Sequence, residues 1–399
     1  MKPVILTFAT VCFSLLINAQ TWVQRADIPN STSRCTGMSS KGKGYIVFGQ
    51  NSQNINTNSL YEYDPILNAW ASKANFPGPG RSNGFSFSIN DRVFAGGGYN
   101  GTSTFFDFAE YIPDSNIWVS RANFPGTGTR GSKGASLNGK GYVVGGTYNR
   151  SIPYSNQMWE YDPITDNWTQ KANIPSGATS GAVFFNADSL LFITHGHNST
   201  SMHSNLWAYN PATNTWTQKT SFPGQARLNG TSFEINGKIV VGGGHQLVTT
   251  NVLNDYYEYD PVLDIWDTLP LFIGGRRSSA ADFTIGKIGY LVGGFDSVVA
   301  NINTVWTFKP LITSTNDQKI IAANWNVFPN PANESFTLNV NELKGGQYTI
   351  FSITGAVQKE GVFNTSTKKI NCSELVEGAY FIRLTSNGYQ STKKIMVVR

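Results

Sequence analysis

The sequence predicts an all-β chain: a six-bladed β-propeller followed by a small C-terminal β-sandwich. Three observations predict it. Tryptophan recurs at Trp22, Trp70, Trp118, Trp168, Trp216 and Trp266, at intervals of 48 or 50 residues. Charged residues make up only 14% of the chain, against roughly 25% in an average soluble protein. Aromatic residues reach 13% and glycines number 40, a mixture that suits short strands and tight turns better than helices.

Each repeat contains four strand signals. The first is a run of small and apolar residues, often led by arginine, such as RSNGFSFSI (81–89) and RLNGTSFEI (227–235). The second is an apolar run ending in glycine, such as VFAGGG (93–98) and GYVVGG (141–146). The third is aromatic and ends at or near proline, as in LYEYDP (60–65), MWEYDP (158–163) and YYEYDP (256–261). Proline fixes φ for the turn that follows, and the fourth strand carries the spaced tryptophan. A buried Trp hides roughly 150–250 Å², so its ring is expected to fill the space between neighbouring blades. The glycine pair is expected to let backbones approach closely near the axis.

The repeats are out of phase with the chain ends. The sixth unit, about 277–310, has three strand signals and no tryptophan strand. TWVQRADIP (21–29) is a fourth strand with no preceding three. Placing it in the last blade closes the circle and leaves no open edge.

A period near 50 residues, the glycine pair, the Tyr-x-x-Pro strand and the spaced tryptophan resemble the kelch family of β-propellers. The tail changes pattern. Its FPNPA (328–332), ITG (353–355), GAYFIRL (378–384) and Lys393-Lys394 resemble the C-terminal sorting domain of type IX secretion. That resemblance implies recognition by the type IX secretion machinery, passage through the outer membrane of a gram-negative bacterium, and a secreted or cell-surface protein. The first residues, MKPVILTFATVCFSLLINAQ, have Lys2, an apolar run and a small residue at Ala19, as in a secretory signal. The expected organisation is therefore a signal peptide over 1–19, a propeller over 20–310, a linker over 311–324 and a sorting domain over 325–399. No later segment is apolar for long enough to span a bilayer as a helix, so no transmembrane segment is expected.

Charge narrows the partners. Residues 20–318 carry 20 basic and 20 acidic residues, whereas 319–399 carry nine and five. A neutral main body argues against nucleic acid. Of the three cysteines, Cys12 falls in the signal while Cys35 and Cys372 fall in different domains, so no disulfide framework is expected. The stretch beginning at Cys35, CTGMSSKGKGYIVFG, resembles the first blade of galactose oxidases, where cysteine is joined to a copper-ligand tyrosine. Here the corresponding stretch RSNGF offers Asn83 or Gly84, and no Tyr-His copper pair follows. Copper-radical oxidation is therefore not expected, and no cofactor or metal is assigned.

The loops joining the second strand to the third and the fourth to the first are long. In an up-and-down blade they share one face, and long loops on a rigid scaffold carry binding residues. Arginine opens the first strand in five blades, as Arg34, Arg81, Arg130, Arg227 and Arg276 or Arg277. A ring of guanidinium groups would hold an anionic or sugar ligand; alternatively, this arginine belongs to the repeat and pairs with loop carbonyls. Tyr99, Tyr148, His197, His245 and Asp296 follow the second strand at similar positions and are expected around the same opening. His195-x-His197 has metal-ligand spacing but no nearby carboxylate, so a packing role is expected. Two functions follow: an exported module that binds a protein or glycan, or a sugar mutarotase or epimerase of the kind found among exported kelch propellers that isomerise sialic acid.

Overall fold

The computed structural model describes residues 21–148, 154–177, 179–247, 251–297, 300–309, 325–340, 345–352, 356–386 and 389–399. The expected signal peptide, the linker and the ITG tripeptide at 353–355 lie outside the described residues. The chain divides into two compact units, one ending at Pro310 and one beginning at Leu311.

In the first unit, six four-stranded antiparallel sheets are present among the described residues. The opening blade runs Thr36–Ser40, Lys43–Val47, Leu60–Asp64 and Ala69–Lys73 from inside to outside. The closing blade runs Ala281–Ile285, Ile288–Val292, Val305–Lys309 and finally Thr21–Arg25. The N-terminal strand thus supplies the outermost strand of the last sheet, with Trp22 opposite Phe308. The six innermost strands contact one another in cyclic order.

A ring of backbone hydrogen bonds makes the cycle explicit. At or just before the start of each innermost strand stands one residue in the left-handed region: Arg34, Asn83, Gly131, Gly181, Asn229 and Ser279, with φ between 53° and 74°. The amide of each donates to the carbonyl of the equivalent residue in the preceding blade, at 2.7–2.9 Å, and the amide of Arg34 closes the circle on Ser279. Six backbone amides are thereby satisfied without any sheet pairing between blades.

The repeated Tyr-x-x-Pro…Trp phrase closes the outside. The hydroxyls of Tyr63, Tyr111, Tyr161, Tyr209 and Tyr259 donate to Oδ1 of Asn68, Asn116, Asp166, Asn214 and Asp264, five residues on, at 2.7–2.8 Å. The same oxygens accept from the amides of Ala26, Ala74, Ala122, Ala172 and Thr220 of the preceding blade. The indole N–H of each following tryptophan, Trp70 to Trp266, donates to the carbonyls of those same five residues at 2.8–3.0 Å. One residue in each of five blades is therefore gripped at both its N–H and its C=O by the next. The expectation that tryptophan fills space between blades is met, and hydrogen bonding is added to it.

The second unit packs two antiparallel sheets face to face. One comprises Trp325–Phe328, Ser335–Val340 and Thr367–Asn371; the other comprises Val357–Phe363, Gly346–Ser352, Gly378–Ser386 and Tyr389–Val397. Phe336 and Leu338 from the first meet Ile350, Ile382 and Ile395 from the second in one core. The guanidinium of Arg399 donates to the carbonyls of Asn333, Ser373 and Leu375 at 2.6–2.9 Å, pinning the chain end to the domain edge. Cys35 and Cys372 are free thiols, both buried.

Candidate functional site

The loops after the second and fourth strands surround a cavity of about 730 Å³ at one mouth of the propeller. Arg34, Arg130, His197, His245, Tyr154 and Phe295 line it, along with Asn83, Asn229 and Ser279 of the backbone ring. No carboxylate stands among the described lining residues. A volume of this size lies in the range of roughly 300–1,000 Å³ usual for small-molecule sites.

The five sequence-expected arginines do not form one ring. Arg81, Arg227 and Arg277 lie four residues before their innermost strands and are buried, at 0–2% exposure. Arg81 and Arg227 form two-pronged ion pairs with Asp107 and Asp255; the latter measures 2.6 and 2.8 Å. Arg277 has Thr304 where the other two have aspartate. It donates to Thr304 Oγ1 at 3.1 Å and to the carbonyls of Gly293 and Gly274. Burial lowers its pKa. These three guanidinium groups lock the loops beneath the mouth and are not available to a ligand, which corrects the ring reading. Arg276 is exposed.

Arg34 and Arg130 sit two and three residues before their strands, in different registers. The position of Arg81 is held by Thr32 and Thr129 in their blades, as the cross-loop bridges Ser33–Gln50, Ser82–Tyr99 and Arg130–Thr147 establish. This slip carries both side chains to the opening. Arg34 donates to Gln50 Oε1. The Arg130 guanidinium lies 4.9 Å from the centre of the Tyr99 ring, a cation–π contact.

The residues after the second strand divide likewise. Gln50, Tyr99, Thr147, His197, His245 and Phe295 are equivalent by their bridges. Tyr148 stands one residue beyond, is exposed and stacks on Phe106 at 5.9 Å. Asp296 also lies one residue beyond, in a short strand paired with Ala300–Asn301. Neither lines the cavity, which corrects their placement. Thr147 and Phe295 are the residues that sequence reasoning missed, and counting from the glycine pair would have found them.

The two histidines at the mouth are neutral at neutral pH. His245 Nδ1 is 2.7 Å from Ser278 Oγ. Burial, helped by the neighbouring His197 ring and the Arg34 charge, pulls its pKa down to about 4. His197 meets the Tyr154 ring edge-on at 4.9 Å, and burial lowers its pKa although the Asn198 carbonyl opposes the shift. His195 points elsewhere: it packs on Phe222 at 4.4 Å and is fully buried. The His195-x-His197 pair therefore does not converge.

Comparison with known proteins agrees with this architecture. Residues 129–175 match the Kelch motif, and residues 326–398 match the secretion system C-terminal sorting domain. The solved structure of YjhT superposes over 73% of this chain and 98% of its own, with a TM-score of 0.64 and 17% identity; that likeness is one of fold. An endo-acting ulvan lyase of Formosa agariphila is 30% identical over 87 residues, which span 22% of this chain and 17% of the lyase. The chain is thus a kelch-type propeller with a type IX sorting domain, marked for export to the cell surface or the extracellular space.

Proposed function

We propose that this exported propeller binds an acidic glycan at its long-loop mouth. The observation that carries the reading is the cavity to which Arg34 and Arg130 bring two positive charges with no carboxylate among the described lining residues. Guanidinium groups pair with carboxylate or sulfate through two parallel N–H donors. Tyr154 and Phe295 offer ring faces to a sugar, and the two neutral imidazoles offer hydrogen bonds without repelling a cationic neighbour. Arg34 adds support of another kind. It occupies the left-handed region, where four of its five equivalents are asparagine or glycine, at a cost of roughly 1–2 kcal/mol. Strain held at a cavity points to a use for the side chain. A recessed cavity suits a sugar unit better than it suits a flat protein surface.

The test is titration calorimetry of the full chain with acidic and matched neutral saccharides. Acidic sugars bind, and Arg34→Asn with Arg130→Ser abolishes the binding. These replacements copy residues that equivalent blades already carry, Asn83 and Ser82, so the fold tolerates them. Equal binding of neutral sugars, or an unaffected double variant, would overturn the reading.

Mutarotation is the second reading, favoured by the two neutral imidazoles in the same cavity as the arginines. It predicts faster anomer exchange of N-acetylneuraminate by NMR, lost in His245→Gln. A rate equal to that in buffer removes it.

A further inference from the structure

A second cavity of about 290 Å³ adjoins the first at the same mouth, lined by Gln50, Asn56, Ser82, Tyr99 and Gly101. Three residues line both: Arg34, Asn83 and Arg130. Both arginines therefore stand where the two chambers meet. An anion held by both lies at the junction, and whatever is covalently attached to it extends to either side.

Resting on the acidic-glycan reading, we infer that the site takes a chain of at least two sugar units, with the acidic unit over the Arg34–Arg130 wall and its neighbour in the side chamber. The side chamber is built for a sugar. Tyr99 is held on one side by the Arg130 guanidinium, and its hydroxyl is fixed on the Gly101 carbonyl, so the ring is pre-positioned. Gln50 gives its carbonyl oxygen to Arg34, which leaves its amide N–H₂ as a donor. Asn56 Oδ1 is shut off from solvent without a hydrogen-bond partner among the described residues. A buried amide oxygen in that condition costs stability, and a sugar hydroxyl is a donor that a modest side-chain adjustment would bring to it. The chamber is thus polar, shallow in volume and continuous with the charged wall, whereas a single sugar unit in the main cavity leaves it unused.

The experiment compares monomer, dimer and trimer in three acidic series: galacturonate, α2,8-linked N-acetylneuraminate and a sulfated galactan. Calorimetry is performed on the full chain, on Arg130→Ser, and on the side-chamber variants Tyr99→Ala and Asn56→Ala. In the series that binds, the dimer or trimer is expected to bind at least tenfold more tightly than the monomer. Each side-chamber variant reduces that advantage to threefold or less, and Asn56→Ala does so at unchanged monomer affinity. Arg130→Ser weakens monomer and oligomer together. If monomer and oligomer bind equally and both depend on Arg130, the extended-chain inference falls while the acidic-glycan reading stands. If no member of any series binds, both fall. Circular dichroism on each variant separates lost binding from lost fold.

Discussion

The three buried arginines make an internal comparison that a reciprocal exchange can test. Arg227 meets the Asp255 carboxylate at 2.6 and 2.8 Å, while Arg277 meets Thr304 Oγ1 at 3.1 Å and its Nε has no partner among the described residues. Thr304→Asp gives the closing blade the pairing of its neighbour. A neutral hydrogen bond contributes about 0.5–1.5 kcal/mol and a charge-assisted one about 1.5–3. Because Arg277 is itself charged, its single bond to the Thr304 hydroxyl is already charge-assisted, and the exchange turns it into two bonds between opposite charges. Bringing a carboxylate into the site offsets part of the gain, and only part, because the Asp107 and Asp255 side chains remain 42% and 25% exposed in the equivalent positions. A net stabilisation of about 1–2 kcal/mol results, which raises Tm by roughly 2–6 °C for a unit of this size. Asp255→Thr performs the opposite exchange and costs about 1–3 kcal/mol. That is less than the roughly 3–5 kcal/mol of breaking a buried pair outright, because the carbonyls of Gly243 and Gln225 continue to hold Arg227. Urea denaturation and thermal melting of both variants provide the measurement. If Thr304→Asp destabilises the protein, or if neither variant moves Tm, the carbonyls alone satisfy these guanidinium groups and the carboxylates are idle.

Two further outcomes follow from the same geometry. Trp22 lies 4.5–5.0 Å from the rings of Phe272, Phe308 and Tyr256, so Trp22→Ala should cost about 3–5 kcal/mol and open the last blade to proteolysis; a loss below about 1 kcal/mol would show that the N-terminal strand is dispensable. Acidification should destabilise the propeller through its histidines. The folded chain holds His245 at a pKa of about 4, below the ordinary 6.5, so the unfolded chain binds the proton first. Stability is full above about pH 6.5 and declines as the pH falls towards 4, by at most about 3 kcal/mol from this group at about 1.4 kcal/mol per unit. His245→Gln should flatten that part of the stability–pH profile, and an unchanged slope would locate the effect in His195 or His197, whose pKa values are lowered in the same direction.

The fold was legible because its signals are repeated and local. A tryptophan every 48 or 50 residues and an orphan fourth strand at the start dictate pairing across the chain ends, and Trp22 does stand opposite Phe308. The Asn or Asp five residues after each tyrosine was equally visible, but its role was not. Only the structure brings that oxygen to the amide of the preceding blade. The site was less legible because arginine was aligned by type and not by count. Arg81, Arg227 and Arg277 each precede their strand by four residues, Arg130 by three and Arg34 by two. In loops that turn sharply beneath a channel mouth, one residue of offset changes a buried ion pair into a lining side chain. Tyr148 and Asp296 fail for the same reason, each one residue past the position that faces the cavity.

That offset also locates where this molecule carries its individuality. The backbone ring requires only a residue that tolerates positive φ, and asparagine and glycine meet that need in four of six places. Arg34 meets it less well, and Arg130 stands where other blades carry serine or leucine. A charge added at these places is not demanded by closure, since the blades without it close by the same hydrogen bonds at the same lengths. The buried arginines below, by contrast, are consumed by the scaffold. The sixfold frame therefore accounts for the fold, and the departures from sixfold equivalence at the mouth are where binding chemistry is to be sought. Reverting the two departures to their neighbours' residues separates one from the other: stability should not fall, and should rise by up to about 1–2 kcal/mol as the strain at Arg34 is relieved, while affinity for the proposed acidic glycan is lost, because the ring needs only the backbone at these places.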